Sequence, residues 1–425
     1  MLFSGLQRSQ RSRFPDSVIL TILKSLSLQR VLLLRETSTG IWSIVQRLFC
    51  TLFPARPLVL NRVLTHNIRW ESPGPCWPSG PSGPAAPTGT EYRILERIRR
   101  LYAGPSGSPI VVKIFARVTD GKFFPTSYQV EVISRFLRCG DRVNVALCTK
   151  KVLNCEYDLE DLCSFRDFID SFSVQRGDLK IGQINVLRKM LPHDLKCLDL
   201  SGVSVPLASG DKTKTNRAKK DATEAMTKLL KGLKGLVNLS LRDTLLDVSL
   251  LPLGAMTSMQ RLDLTAATNT RTVPKSVADA IKNMPGLRVL RLGYMLFDRD
   301  LANVAFSLPL ERLDIPKCMI TDASILIAAC ACGAKATQSL KRMDLSCNRL
   351  GSVPDLAELI KMLPFLTMMD LTETFADHDE LAPMLRGFPS VTFTLSFPSR
   401  GLLVDPNQRP FHGTNLRYFP CDHGA

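Results

Sequence analysis

Three triplets, Arg261-Leu262-Asp263, Arg312-Leu313-Asp314 and Arg342-Met343-Asp344, each put a guanidinium and a carboxylate two residues apart. In an extended chain such residues share one face, so each triplet offers both signs of charge to a partner or to its neighbours. That is the chemistry of recognition. No phosphate-binding glycine loop, nucleophile elbow or zinc signature occurs in the 425 residues. The twelve cysteines include no Cys-x-x-Cys pair, and Cys330 and Cys332 stand two apart with none of the five histidines nearby. They read as small buried side chains rather than metal ligands, kept reduced in the absence of a secretory signal. The sequence therefore predicts no enzyme, no metal and no cofactor.

The triplets recur because the segment that contains them repeats. The pattern L-x-x-L-x-L-x-x-N/C-x-L begins at Leu195 (LKCLDLSGVSV), Leu236, Met259, Leu287, Leu310, Leu340 and Leu366, with an eighth copy, FPSVTF, from Phe388. The first step is 41 residues and the others run from 22 to 30. Within each copy the alternating apolar residues predict one short strand facing inward at period two. The remainder leaves room for a helix, with apolar stripes at Val277, Ile281 and Met284, at Ile325, Ala328 and Ala329, and at Leu356, Leu359, Ile360 and Leu363. No unit can bury its apolar face alone, so neighbours must stack. Stacking aligns the outward strand residues into two rows. One is Asp199, Ser240, Asp263, Arg291, Asp314, Asp344 and Asp370, and the other is Cys197, Asn238, Arg261, Val289, Arg312, Arg342 and Met368. Asp263, Asp314, Asp344, Asp370, Arg261, Arg312 and Arg342 are the candidate protein-binding residues. Asp314 and Asp344 are expected to be surface carboxylates whose reversal to Lys leaves the fold intact.

The copies resemble leucine-rich repeats, and their length resembles the helix-backed, ribonuclease-inhibitor-like form. The resemblance implies an α/β solenoid with a curved parallel sheet inside and helices outside. The position that holds Asn or Cys in the template is Val203, Thr244, Ala267, Met295, Cys318, Asn348 and Thr374. Only two keep the template residue, so the ladder of side-chain bonds at the turns is expected to be incomplete. The long first step contains GDKTKTNRAKKDATEAMTKLLKGLKG, a basic insertion with Met226, Leu229, Leu230 and Leu233 on one helical face. It reads as a solvated insertion, with a nuclear-import patch or anionic-partner site as the alternative.

Upstream, the composition changes twice. Residues 72–89 (SPGPCWPSGPSGPAAPTG) carry six prolines and no charge, the composition of an extended linker. Residues 91–191 read as a small α/β region, with a strand over Pro109–Val118, a helix over Tyr128–Leu137, a strand over Val143–Leu147 and an amphipathic helix over Leu159–Phe172. The expected organisation is an N-terminal helical segment (1–70), a linker (71–90), the α/β region (91–191), the repeats (192–396) and a tail (397–425). Of the net charge of +16, half lies in residues 1–70, which hold nine Arg and one Lys against Asp16 and Glu36. Val18–Leu34, interrupted by Lys24 and Arg30, is too short and too charged to read as a membrane span.

Phe14-Pro15-Asp16 opens a run of apolar residues (Val18, Leu20, Ile22, Leu23, Leu26, Leu28, Val31, Leu32, Leu34) that ends near Trp42. This run resembles an F-box, and LERLDIPKCMITDASILIAACA (Leu310–Ala331) resembles the cysteine-type repeats that F-box proteins often carry. The resemblance implies the substrate receptor of an SCF-type ubiquitin ligase in cytoplasm or nucleus. Pro15, Leu20, Leu23, Leu26 and Leu32 would dock a Skp-type adaptor, and the repeats would hold the substrate. The alternative starts from MLFSGLQRSQRSRF, rich in Arg and Ser and free of acids, which is the composition of a mitochondrial presequence. The repeats would then serve as an assembly factor or component of a ribosome or respiratory complex. Protein partners are expected on either reading, with nucleic acid a less favoured one.

Overall fold

The structure, a computed structural model, describes residues 109, 111–119, 122–124, 127–148, 159–160, 162–175, 177–204, 212–244, 251–267, 274–332, 335–374 and 378–396, with the backbone of 58–59 and 416–419. Pro15, Leu20, Leu23, Leu26 and Leu32 lie outside the described residues, as does the linker. Two compact units hold the described residues, one within Met1–Cys148 and Tyr157–Asp170, the other within Thr149–Glu156 and Ser171–Ala425. No helix among the described residues is long and apolar enough to cross a membrane.

In the first unit, strand β1 (Leu58–Val59) pairs in parallel with β2 (Val111–Thr119), and β3 (Lys122–Phe124) pairs antiparallel to β2. Helix α1 (Ser127–Phe136) follows, then β4 (Arg142–Cys148), parallel to β2 over seven residues. The β-branched stretches become strands, and Val112, Ile114, Val143 and Val145 are buried. From α1 Val130, Ile133 and Phe136, spaced three apart, reach the same core.

The helix expected over Leu159–Phe172 is corrected. Leu162–Phe168 is a 3-10 helix, and Ile169–Gln175 is a strand, β5. Leu159, Leu162, Phe165, Ile169 and Phe172 are all buried, so the apolar spacing is met. A 3-10 helix buries every third residue and a strand every second, which together imitate a helical stripe.

The second unit is built on one short strand per repeat. After β5 come β6 (Gly177–Asp178), helix α2 (Ile181–Met190), β7 (Cys197–Asp199), β8 (Val203–Ser204), helix α3 (Lys212–Lys231), β9 (Asn238–Ser240) and β10 (Arg261–Asp263). Then α4 (Pro274–Ile281), β11 (Val289–Arg291), α5 (Arg299–Ser307), β12 (Arg312–Asp314), α6 (Ser324–Ala331), β13 (Arg342–Asp344), α7 (Val353–Lys361), β14 (Met368–Asp370), α8 (His378–Arg386), β15 (Thr392–Ser396) and β16 (Leu416–Phe419) alternate strand with helix until the closing pair. Every neighbour from β7 to β15 pairs in parallel and in register, leaving aside the β6–β8 pair. This is a leucine-rich-repeat solenoid. Two strands extend it past the recognised copies. Ser171–Ser173 of β5 aligns with Cys197–Asp199, and β16, from the tail, pairs with β15.

The middle residue of each strand faces the core. Leu198, Leu239, Leu262, Leu290, Leu313, Met343, Met369 and Phe393 form one buried column, with Phe172 ahead of them. Close stacking needs a small residue at Gly293, where a Cβ would come within 2.9 Å of Pro316 and Thr265. On the helical side the stripes of α4 and α7 are buried as their spacing predicts. In α6 the buried face is Leu326, Ala329 and Cys330, while Ile325 and Ala328 are half-buried. The core-facing stripe is therefore offset by one residue from the one expected.

Past each strand the chain turns through a left-handed residue: Gly202, then Asp243, Ala266, Tyr294, Lys317, Cys347 and Glu373. That geometry aims each backbone N–H along the solenoid. Asp243 donates to Thr265 O, Ala266 to Gly293 O, Tyr294 to Pro316 O, Lys317 to Ser346 O and Cys347 to Thr372 O, at 2.7–3.0 Å. A second ladder therefore offsets the cost of a left-handed backbone at non-glycine residues.

The template positions just beyond this ladder differ as expected. Asn348 Oδ1 accepts from Cys318 N (2.8 Å) and Ile320 N (3.2 Å), while Nδ2 donates to Ile315 O (2.8 Å) and Leu345 O (2.9 Å). Cys318 donates its S–H to Leu292 O at 3.0 Å, and burial pushes its thiol pKa up to about 12. Thr244 and Thr374 each donate the hydroxyl to the carbonyl of their own turn, Leu241 O and Leu371 O.

Candidate functional site

The strand register brings the two rows together on the helix-free face of the sheet. Arg261, Val289, Arg312, Arg342 and Met368 align in one row, and Asp263, Arg291, Asp314, Asp344 and Asp370 in the other. Over β7 to β13 this face carries a depression of about 730 Å³. Of the seven candidate residues, Arg261, Asp263, Arg312 and Arg342 line it, whereas Asp314, Asp344 and Asp370 do not. Arg242, Arg291 and Lys341 also line it. Arg291 already stood in the acidic row; Arg242 and Lys341 flank the strands, where the repeat pattern constrains no residue type.

Six cationic side chains face three carboxylates (Asp199, Asp263 and Glu311) in this depression. Some of the charge is taken up internally. Arg312 Nε donates to both oxygens of Asp314 (2.9 and 2.8 Å), a bond that holds the guanidinium above its ordinary pKa against partial burial. Arg291 bridges two repeats, with Nη1 3.3 Å from Asp263 Oδ2 and Nε 3.0 Å from Asp314 Oδ2. Lys341 pairs with Glu311 at 3.1 Å and Arg242 with Asp243 at 3.3 Å, both in the open. Arg261 and Arg342 are exposed and have no ion-pair or side-chain hydrogen-bond partner among the described residues.

The aspartates serve the turns. Asp199, Asp263, Asp344 and Asp370 each accept, through Oδ1, from the backbone N–H two residues on, that of Ser201, Thr265, Ser346 and Thr372, at 2.9–3.0 Å. The residue two beyond Asp314 is Pro316, which has no N–H to donate, and Asp314 turns to the two arginines instead. The expectation that Asp314 is a free surface carboxylate is therefore corrected: it is 6% exposed and committed to its own fold. Asp314→Lys should lower the thermal midpoint markedly in a calorimetric scan, because a third cation would meet Arg291 and Arg312. Asp314→Ala should cost on the order of 3 kcal/mol, the scale of a buried pair broken on one side.

Asp344 is half-buried, and its pKa is raised. Burial is the main cause, Asp370 and Asp314 add repulsion, and the hydrogen bonds from Ser346 oppose. A carboxyl whose folded pKa exceeds its unfolded value favours the folded state in its protonated form. The stabilisation is complete below the unfolded pKa and is lost as pH rises through the folded one. Asp344→Asn keeps the acceptor for Ser346 N and removes the charge. The variant should be at least as stable as wild type at pH 7, an advantage that shrinks on acidification, as denaturant titrations across that window would show.

No protein-family model matches the chain, and no curated protein matches it. Among solved structures it is similar to the TLR13–ssRNA13 complex, at 14% identity and a TM-score of 0.38 over 67% of this chain. The chain spans about a third of that one's length, 35%. It is also similar to the Rad7–Elc1 complex in yeast, at 14% identity and a TM-score of 0.42, covering 96% of this chain and 98% of that one. Likenesses at this level do not extend to function.

Proposed function

We propose that this protein is a non-enzymatic scaffold for protein–protein interaction that holds its ligand in the depression on the sheet. The observation that carries this is Arg261 with Arg342: two exposed guanidiniums with no ion-pair partner among the described residues, while every other cation lining the depression has one. Unpaired arginine in a recess is how proteins recognise carboxylates.

On this reading the chain acts as the substrate receptor of an SCF-type ubiquitin ligase. The support is the run from Phe14 to Trp42, whose apolar residues follow the F-box pattern, together with the repeats downstream of the linker. Replacing Leu23 and Leu26 by Asp should abolish co-purification with Skp and cullin and leave the melting of the repeats unchanged. The mature chain should retain Phe14. The acid-free MLFSGLQRSQRSRF favours a second reading, a mitochondrial assembly factor. Mitochondrial residence with a mature N-terminus beyond Trp42 would establish it against the ligase receptor.

A further inference from the structure

We propose that the depression takes an extended acidic segment of a partner protein, with two carboxylates four residues apart that pair with Arg261 and Arg342. The inference rests on the scaffold reading and adds the chemistry of the occupant. Arg261 on β10 and Arg342 on β13 hold equivalent positions in one row, with Val289 and Arg312 between them. Three strand-to-strand steps separate their backbones by about 14 Å. A segment crossing the strands in extended form rises about 3.4 Å per residue, so residues i and i+4 also lie about 14 Å apart and point to the same side. Residues i and i+3 are about 10 Å apart and point to opposite sides. The intervening inward residue meets Val289 and Arg312, and Arg312 is already neutralised by Asp314. That position suits an apolar or small side chain.

The lining argues for protein over nucleic acid. Among the described residues no aromatic side chain lines the depression for a base to stack on, and Asp199, Asp263 and Glu311 would repel a phosphate backbone. A peptide carries its charge only where the sequence puts it, and so can match two arginines while sparing those carboxylates.

The test uses the full-length protein and two fluorescent peptides on one Ser/Thr/Val background, with glutamates four residues apart in one and three apart in the other. The first should bind about tenfold more tightly, and weaken with added salt. Arg261→Gln and Arg342→Gln should each abolish the preference between the peptides while leaving the melting curve unchanged. The inference is overturned if the two peptides bind alike, if the first shows no binding up to about 1 mM, or if an oligouridine binds more tightly than it does. The scaffold reading is judged separately: it survives such a result if the double variant loses its co-purifying proteins, and fails if it keeps them.

Discussion

Leu313→Asp is expected to abolish the cooperative melting of the repeats altogether. Leu313 is fully buried in the middle of the strand column, in register with Leu290 on one side and Met343 on the other. A carboxylate there has no cation or donor within the stack. The loss of the leucine and the burial of an unpaired charge together cost at least about 5 kcal/mol. That equals much of the stability of an ordinary domain. Because each repeat buries its face only against its neighbours, the damage should pass along the solenoid rather than stay local. Circular dichroism should show a broad, shallow transition, and Leu345→Asp, equally buried, should behave the same way. A wild-type melt for either variant would mean that these leucines do not form the core.

Asn348→Leu should produce the second largest loss, on the order of 4 kcal/mol and roughly 10 °C in thermal midpoint. The side chain is almost wholly buried and ties backbone groups of two adjacent turns. Leucine fills the space and satisfies none of those groups. The comparison is Thr374→Val, at the equivalent position one repeat further on, where the hydroxyl donates to Leu371 O of its own turn. That change should cost about 1 kcal/mol. Calorimetry on the two variants would then separate a bond that joins repeats from one that closes a single turn. Equal losses would show that Asn348 has no special place in the ladder.

The repeats were legible because their apolar residues recur at a spacing only a stacked strand can use. At Leu159–Phe172 the local pattern misleads, because five buried apolar residues there fit a helix. Pairing with Cys197–Asp199 decides the matter there, and that contact lies in the tertiary register rather than in the local pattern. The role of the aspartates could have been seen in the sequence. Asp199, Asp263, Asp344 and Asp370 are each followed two residues later by Ser or Thr, the signature of a carboxylate that closes its own turn. Asp314, followed by Pro316, is the exception, and its arginine pairs follow from it. What no pattern revealed was which arginines remain unpaired. Arg261, Arg312 and Arg342 look alike in their triplets, and only the folded neighbours distinguish the one that is held from the two that are free.

The measurement that bears most directly on the scaffold account is site-specific photo-cross-linking in cells, with a benzophenone residue placed at Arg242 on the rim of the depression or at Lys361 on the outer helix α7. Both side chains are exposed, so either replacement should leave the fold intact. The account predicts a discrete protein adduct from position 242 that disappears when Arg261 and Arg342 are both changed to Gln, with no matching adduct from position 361. Adducts of equal yield from both positions, or none from position 242, would contradict it.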